Sequence, residues 1–380
     1  MFLPKMLQLL VLIALLGADA AAQAPAVRQS ELHGGIEIAP RIVRGIVVRI
    51  SNGDEGYNVK LLYSVSDAPA ASPQLKDGKY TQEYIRAVST VVERLFQTLQ
   101  QQHQVPTQQV HIIGLADLAA SNLDELGNEI LNRTGRPTNF IDAVTDTELS
   151  IAGIIPRRYS VGNKVFDNRG ISMLLDVTNS NLRGGYQQIK RRATGAAEYE
   201  FVTWEAPKGV LTFAGEVARA AGDSATLAVF ANRAQIMATT TIRPLIQNEL
   251  ARRPAMQGRK KIYLTGSIVW AMMTLLHPGQ ADSYLEVTMN DINTFYNRAL
   301  LDPESLMNPD LSKITDENMR DEMRRARESI KAAFPPKSLL AGAEMLRTLA
   351  QELQFQNKRV LFPRFSWFAR ILSYVRLEGQ

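Results

Sequence analysis

Twice along this chain the same order of segments occurs: three short β-branched runs, a helical stretch, a buried strand and a further helix. In the first copy IEIAPRIVRGIVVRIS holds two of the runs and NVKLLYSV continues the alternation. This reads as an antiparallel meander with turn chemistry at Asn52-Gly53 and Glu55-Gly56. Apolar residues then recur at helical spacing from Tyr84 to Leu99, VHIIGLA over 110–116 reads as a buried strand, and a helix runs from Leu123 to Arg133 with Asn122 as its cap. The second copy begins near Gly170. There ISMLLDV, EYEFVTW and GVLTFAG read as strands, KIYLT at 261–265 as a later one, and helical periodicity fills 215–252, 267–277, 289–300, 314–333 and 338–353. The last segment, RVLFPRFSWFARILSYVRLEG, reads as a closing strand pair rather than a membrane-surface helix. One α/β unit repeated, with larger helical insertions in its second copy, is the architecture this order implies.

The first thirty residues have the layout of an export signal: Lys5, an apolar run from Leu7 to Leu16, then the small residues of Ala18-Asp19-Ala20. That run is roughly half of the ~20 residues that cross a bilayer, so cleavage before Ala21 is expected, with no membrane span after it. The expected divisions are 1–20 signal peptide, 21–33 linker, 34–168 first domain and 169–380 second domain, with a periplasmic or secreted home. The chain has no cysteine, which removes thiolate metal sites, and its four histidines, at 33, 103, 111 and 277, have no ligand spacing. Zinc chemistry and a serine-histidine-acid triad are therefore poor fits. A net charge of +5 suits a polyanionic ligand or ordinary solubility equally. No nucleic acid is expected, and a homodimer is left open.

Three acids stand where chemistry is convenient. Glu37 and Asp176 end strands followed by turn-forming sequence, a way to hold a divalent metal beside phosphate, or simply solvated strand ends. Asp146, in FIDAVTDTELSIAGIIP, opens a helical stretch and suits a general base or an acid favoured by the helix dipole.

The order of these motifs resembles the exopolyphosphatase and guanosine pentaphosphate phosphatase (Ppx/GppA) family of the actin, hexokinase and heat-shock ATPase superfamily. IEIAPRIVRGI is similar to the first phosphate loop DIGSNSVRLVV, with Glu37 at the acid and Arg44 at the arginine. VHIIGLADLAASNLDEL resembles TSALRxAxN, FIDAVTDTEL resembles ISGEEEARL, and MLLDVTNSNLRGGY lies where DIGGGSTEL is expected. KGVLTFAG resembles the strand after that loop, YLTGSIVWAM a later glycine motif, and LLAGAEML at 339–346 the AGAxIL helix, so the resemblance runs from Gly35 to Leu346. It implies an α/β fold of duplicated ribonuclease-H-like, actin-like ATPase domains, two lobes around a cleft. It puts Asp146 at the catalytic glutamate, Mg2+ on Glu37 and Asp176, and phosphate contacts on Arg41, Arg44, Asn179, Ser180, Asn181, Arg183, Gly266 and Ser267.

The departures fall on those same positions. Ala39-Pro40-Arg41-Ile42 replaces Gly-Ser-Asn-Ser, losing an amide donor at Pro40 and a hydroxyl at Ile42. Thr178, Asn179 and Ser180 replace three glycines, Arg183 replaces a glutamate, Ala119 replaces an arginine, and Asp146 is one methylene shorter than the family's base. Two readings follow. One is an active phosphoanhydride hydrolase with Asp146 activating water and the arginines clamping phosphate. The other, a catalytically impaired protein that binds a ligand, polyphosphate or another polyanion, or a protein, is the one these changes favour.

Overall fold

A computed structural model describes residues 30–378, apart from 54–55, 119, 162–163, 192–196, 223 and 281. The expected signal segment, residues 21–29 of the expected linker, and Ala119 lie outside the described residues. The chain divides into two units, one of Met1–Ile113, Ala120–Thr138 and Val375–Gln380, the other of Gly114–Ala119 and Asn139–Tyr374.

The first unit opens with the meander β1 (Ser30–Ala39), β2 (Ile42–Gly53) and β3 (Gly56–Asp67), each antiparallel to the one before. Ser30 to His33, within the expected linker, pair with Val48 to Ser51 as the start of β1. A small hairpin, β4 (Leu75–Lys76) and β5 (Lys79–Tyr80), leads into α1 (Gln82–Gln101), whose first turn is capped by Thr81 accepting from the Tyr84 amide. The buried stripe of α1, Tyr84, Val88, Val91, Val92, Leu95 and Leu99, is the one its spacing predicts. β6 (Val110–Gly114), α2 (Leu123–Thr134) and β7 (Thr138–Phe140) follow, and the strands take the order β3-β2-β1-β6-β7. Asn122 precedes α2 without capping it. Its carboxamide instead accepts from the Tyr80 amide and donates to the Tyr80 carbonyl, a buried pair of bonds that outcompetes the cap.

The second unit begins with α3 (Ala143–Ile154) and the hairpin β8 (Arg158–Val161) and β9 (Lys164–Asp167). The meander then recurs as β10 (Ser172–Val177), β11 (Leu182–Arg191) and β12 (Ala197–Ala206). Next come α4 (Val210–Ala221), α5 (Leu227–Met237), α6 (Arg243–Arg252), β13 (Lys261–Thr265), α7 (Ser267–Leu276), β14 (Tyr284–Glu286) and α8 (Met289–Leu301). The chain closes with α9 (Pro303–Met307), α10 (Glu317–Ala333), α11 (Pro336–Glu352), β15 (Arg359–Pro363) and α12 (Ala369–Glu378). The sheet order is β12-β11-β10-β13-β15-β14, with β10, β13 and β15 parallel. Third, second, first, fourth strand is thus the order in both sheets, the repeat expected of duplicated ribonuclease-H-like domains.

Every residue of β10 is buried because both faces are covered. Met173, Leu175 and Val177 join the large core with α4, α7 and α11, while Leu174 packs with Ile151 and Ile154 of α3. Two expectations are corrected here. GVLTFAG, read as a strand, lies in α4: its Val210, Phe213, Ala214 and Val217 form one buried helical face. RVLFP is a strand, but the remainder of the closing segment is a 3-10 turn over Arg364–Phe368 and then α12, so no strand pair forms there. Among the described residues no helix is long and apolar enough to cross a membrane.

Candidate functional site

Three side chains stand in one row across the second sheet. The register sets Arg183 of β11 and Thr265 of β13 on either side of Asp176 in β10. Cross-strand neighbours share a face, and Asp176 shares that of Leu174, the face covered by α3. Asp146 sits in the first turn of α3, a helix whose start is fixed by Asp142 accepting from the Thr145 amide. Arg183 joins the two elements: its Nε donates to Asp176 Oδ2 at 3.0 Å and its Nη1 to Asp146 Oδ2 at 3.1 Å. Thr265 Oγ1 donates to Asp176 Oδ1 at 2.9 Å, and Arg370 Nη1 of α12 lies 3.5 Å from Asp146 Oδ1.

This cluster is inside the protein. Asp146 is 0 % exposed and Arg183 1 %. Burial draws the Arg183 pKa down, but the carboxylates of Asp146 and Asp176 outweigh it and leave the guanidinium more basic than usual, a permanent cation. Asp117, half-buried in the segment after β6, faces the same groups. Burial pushes its carboxyl up, Arg183 pulls it down, and Asp146 pushes it up again, with a net rise.

The first unit carries the counterpart. Glu37 and Arg44 are directly opposed across β1 and β2 and form a buried ion pair at 2.5 Å. In both units the acid of the first strand and the arginine of the second are seven residues apart. That acid-to-arginine spacing, present in each copy of the repeat, is the sequence signal that pairs them.

The expected second phosphate loop is folded onto itself. Thr178 Oγ1 accepts from the Asn181 amide and donates to the Asn181 carbonyl, which also takes the Thr178 amide. The first two amides of α4, those of Val210 and Leu211, donate to the carbonyls of Thr178 and Asn179. Helix amino-terminal amides are the usual donors to a phosphate, and these two are already used. Asn181 Nδ2 donates to Glu205, Ser267 Oγ donates to Asn179 Oδ1 at 2.7 Å, and Ser180 is exposed. Gly266 has φ of +108°, and a Cβ there would meet the Val177 carbonyl oxygen at 2.1 Å, so its glycine serves the passage from β13 to α7 past β10. Arg41 is exposed at the β1–β2 turn.

Of the residues named from sequence, the second unit brings together Asp146, Asp176 and Arg183, and separately Asn179 with Ser267. The first unit pairs Glu37 with Arg44. Thr265, Asp117 and Arg370 were not foreseen. Only Arg370 comes from a segment distant from every motif, so no local signal marks it.

Magnesium, which the fold family implies, is not suited by these donors. Asp176 spends both oxygens on Arg183 and Thr265, Glu37 faces Arg44, and among the described residues no three metal-ligating side chains converge. A hard cation needs about six oxygen ligands, and here a guanidinium holds the position between the carboxylates.

No family model matches the sequence, and no curated protein does. Solved structures do match. The Ppx/GppA family member from Aquifex aeolicus aligns at TM-score 0.59 and 12% identity, covering 93% of this chain and 100% of that one. An exopolyphosphatase from Cytophaga hutchinsonii aligns at TM-score 0.58 and 13% identity, covering 92% and 98%. An exopolyphosphatase-like protein aligns at TM-score 0.58 and 11% identity, covering 93% and 100%. With the repeated strand order, these likenesses give the chain the two-domain, actin-like ATPase fold of the Ppx/GppA structures.

Proposed function

We propose that this chain is a non-hydrolysing protein of the Ppx/GppA fold that acts by binding, in the periplasm or outside the cell, after loss of its signal segment. The arginine held between Asp146 and Asp176 carries the reading. A general base needs an oxygen within hydrogen-bond reach of the water it activates. Both oxygens of Asp146 instead face guanidinium groups, and its side chain is buried. Two of the three arginines expected to clamp phosphate argue the same way: Arg44 and Arg183 are committed to carboxylates, which favours a protein ligand over a polyphosphate chain.

The hydrolase reading keeps one observation in its favour, that Asp146 and Asp176 lie within reach of a single side chain. Phosphate release from polyphosphate in the presence of magnesium separates the two. The binding reading expects release by the purified protein no faster than by its Asp146→Asn variant. Magnesium-dependent release that the substitution abolishes would establish the hydrolase.

A further inference from the structure

The two cations on Asp146 are held differently. Arg183 is anchored a second time by Asp176 and is almost fully buried. Arg370 lies at the longer distance, 3.5 Å, with 14 % of its side chain exposed, and belongs to the helix that ends the described chain. It is the outer of the two partners.

Helix α12 reaches Asp146 because α3 lets it approach at one point. At Gly153 a Cβ would meet the Ala369 carbonyl oxygen at 2.2 Å and Ser373 Oγ at 2.6 Å. The first turn of α12 therefore lies against α3 backbone, about two turns from Asp146, with Ala369 and Ile371 buried. Tyr374 adds an exposed tie, its hydroxyl accepting from Asn139 Nδ2 at 2.8 Å. A 3-10 stretch, Arg364–Phe368, separates this docked helix from β15, and none of its residues is fully buried.

We propose that α12 is a latch on the Asp146 site and Arg370 its catch. With the helix docked, Asp146 Oδ1 is sealed and neutralised; with the helix lifted, that oxygen opens to solvent while Arg183 still holds Oδ2. This rests on the reading above that arginines, not a metal, neutralise the cluster.

Carbodiimide-driven coupling of glycinamide to Asp146, read by peptide mass spectrometry, tests it without reference to phosphate release. The rate of coupling rises at least tenfold in Arg370→Ala and stays near the wild-type rate in Arg370→Lys. Arg364→Ala, on the same C-terminal segment but facing Glu322, leaves it unchanged. Equal rates in Arg370→Ala and wild type would overturn the latch, as would an equal rise in Arg364→Ala. Should the alanine variant not fold, hydrogen exchange of the wild-type protein decides: a latch exchanges the α12 amides by local opening, faster than those of α3, and equal protection of both helices contradicts it. A wild type that hydrolyses polyphosphate would overturn the proposed function and leave these rates to be judged separately.

Discussion

A buried ion pair stabilises a protein only as a set, because each charge has lost its water and either partner alone is costly. Glu37 with Arg44, and Asp176 with Arg183, are such sets, placed at the same point of each repeat. Their acids were legible in the sequence because strand exits followed by turn residues are recognisable. Their commitment to arginines was not read, since it depends on hairpin register, although the shared seven-residue spacing was there to suggest it. Arg370 was illegible for a simpler reason, being 224 residues from its partner, whereas Asp117 lies within a recognised motif but in an irregular stretch that gives its direction no periodicity. A second buried cluster gives a prediction at this scale. His33 and His111 stack at 6.0 Å between centroids on the neighbouring strands β1 and β6. Burial first, then His33 and Arg136, lowers the His111 pKa from 6.5 to about 4, while Glu31 only partly offsets burial at His33. The folded state keeps His111 neutral while the unfolded chain takes up a proton below pH 6.5. The stability is therefore fully present above that pH and is lost as pH falls toward 4, by on the order of 2–3 kcal/mol. Urea midpoints of wild type and His111→Phe between pH 7.5 and 4 check this, the variant showing the shallower fall.

The helical stripe of α1 and the buried runs VHIIG, SMLLDV and KIYLT were read correctly, but GVLTF was not. GVLTF carries Val, Leu, Thr and Phe in succession and suits either state by composition. What selects the helix is its docking, since Val210 and Phe213 turn inward together and the first amides find the carbonyls of Thr178 and Asn179. The closing segment failed likewise: its alternation continues past Pro363, but beyond it the chain turns into α12, where Ile371 and Val375, four residues apart, share a buried face. At this scale Gly153 gives an outcome with a decisive sign. Alanine is the better helix former by about 1 kcal/mol, so Gly153→Ala on an open helix stabilises. Here its methyl meets the backbone of α12, and the substitution is expected to destabilise by about 1–3 kcal/mol in urea titration and to speed labelling of Asp146. A gain in stability would show that α12 does not press on α3.

On the scale of the molecule the repeat was legible in outline, because it rests on the order of many segments, but its second meander is completed by β11, which was not read as a strand, and not by GVLTFAG. The Ppx/GppA structures align with this fold at 11–13% identity, while no family model matches the sequence. A fold kept at that distance supports more than one use of its site. In this chain the register of β10, β11 and β13 is kept, and the residues it aligns are Arg183, Asp176 and Thr265, an arrangement that binds itself. The claim that Arg183 is turned inward is measured most directly by a double-mutant cycle between Asp146 and Arg183, with Asp146→Asn, Arg183→Met and their combination unfolded in urea. The account predicts that Arg183→Met alone costs about 3–5 kcal/mol and that the pair is coupled by about 2 kcal/mol or more. Additive losses, within about 0.5 kcal/mol of the sum, would mean that the guanidinium is not committed to Asp146 and is available to a ligand.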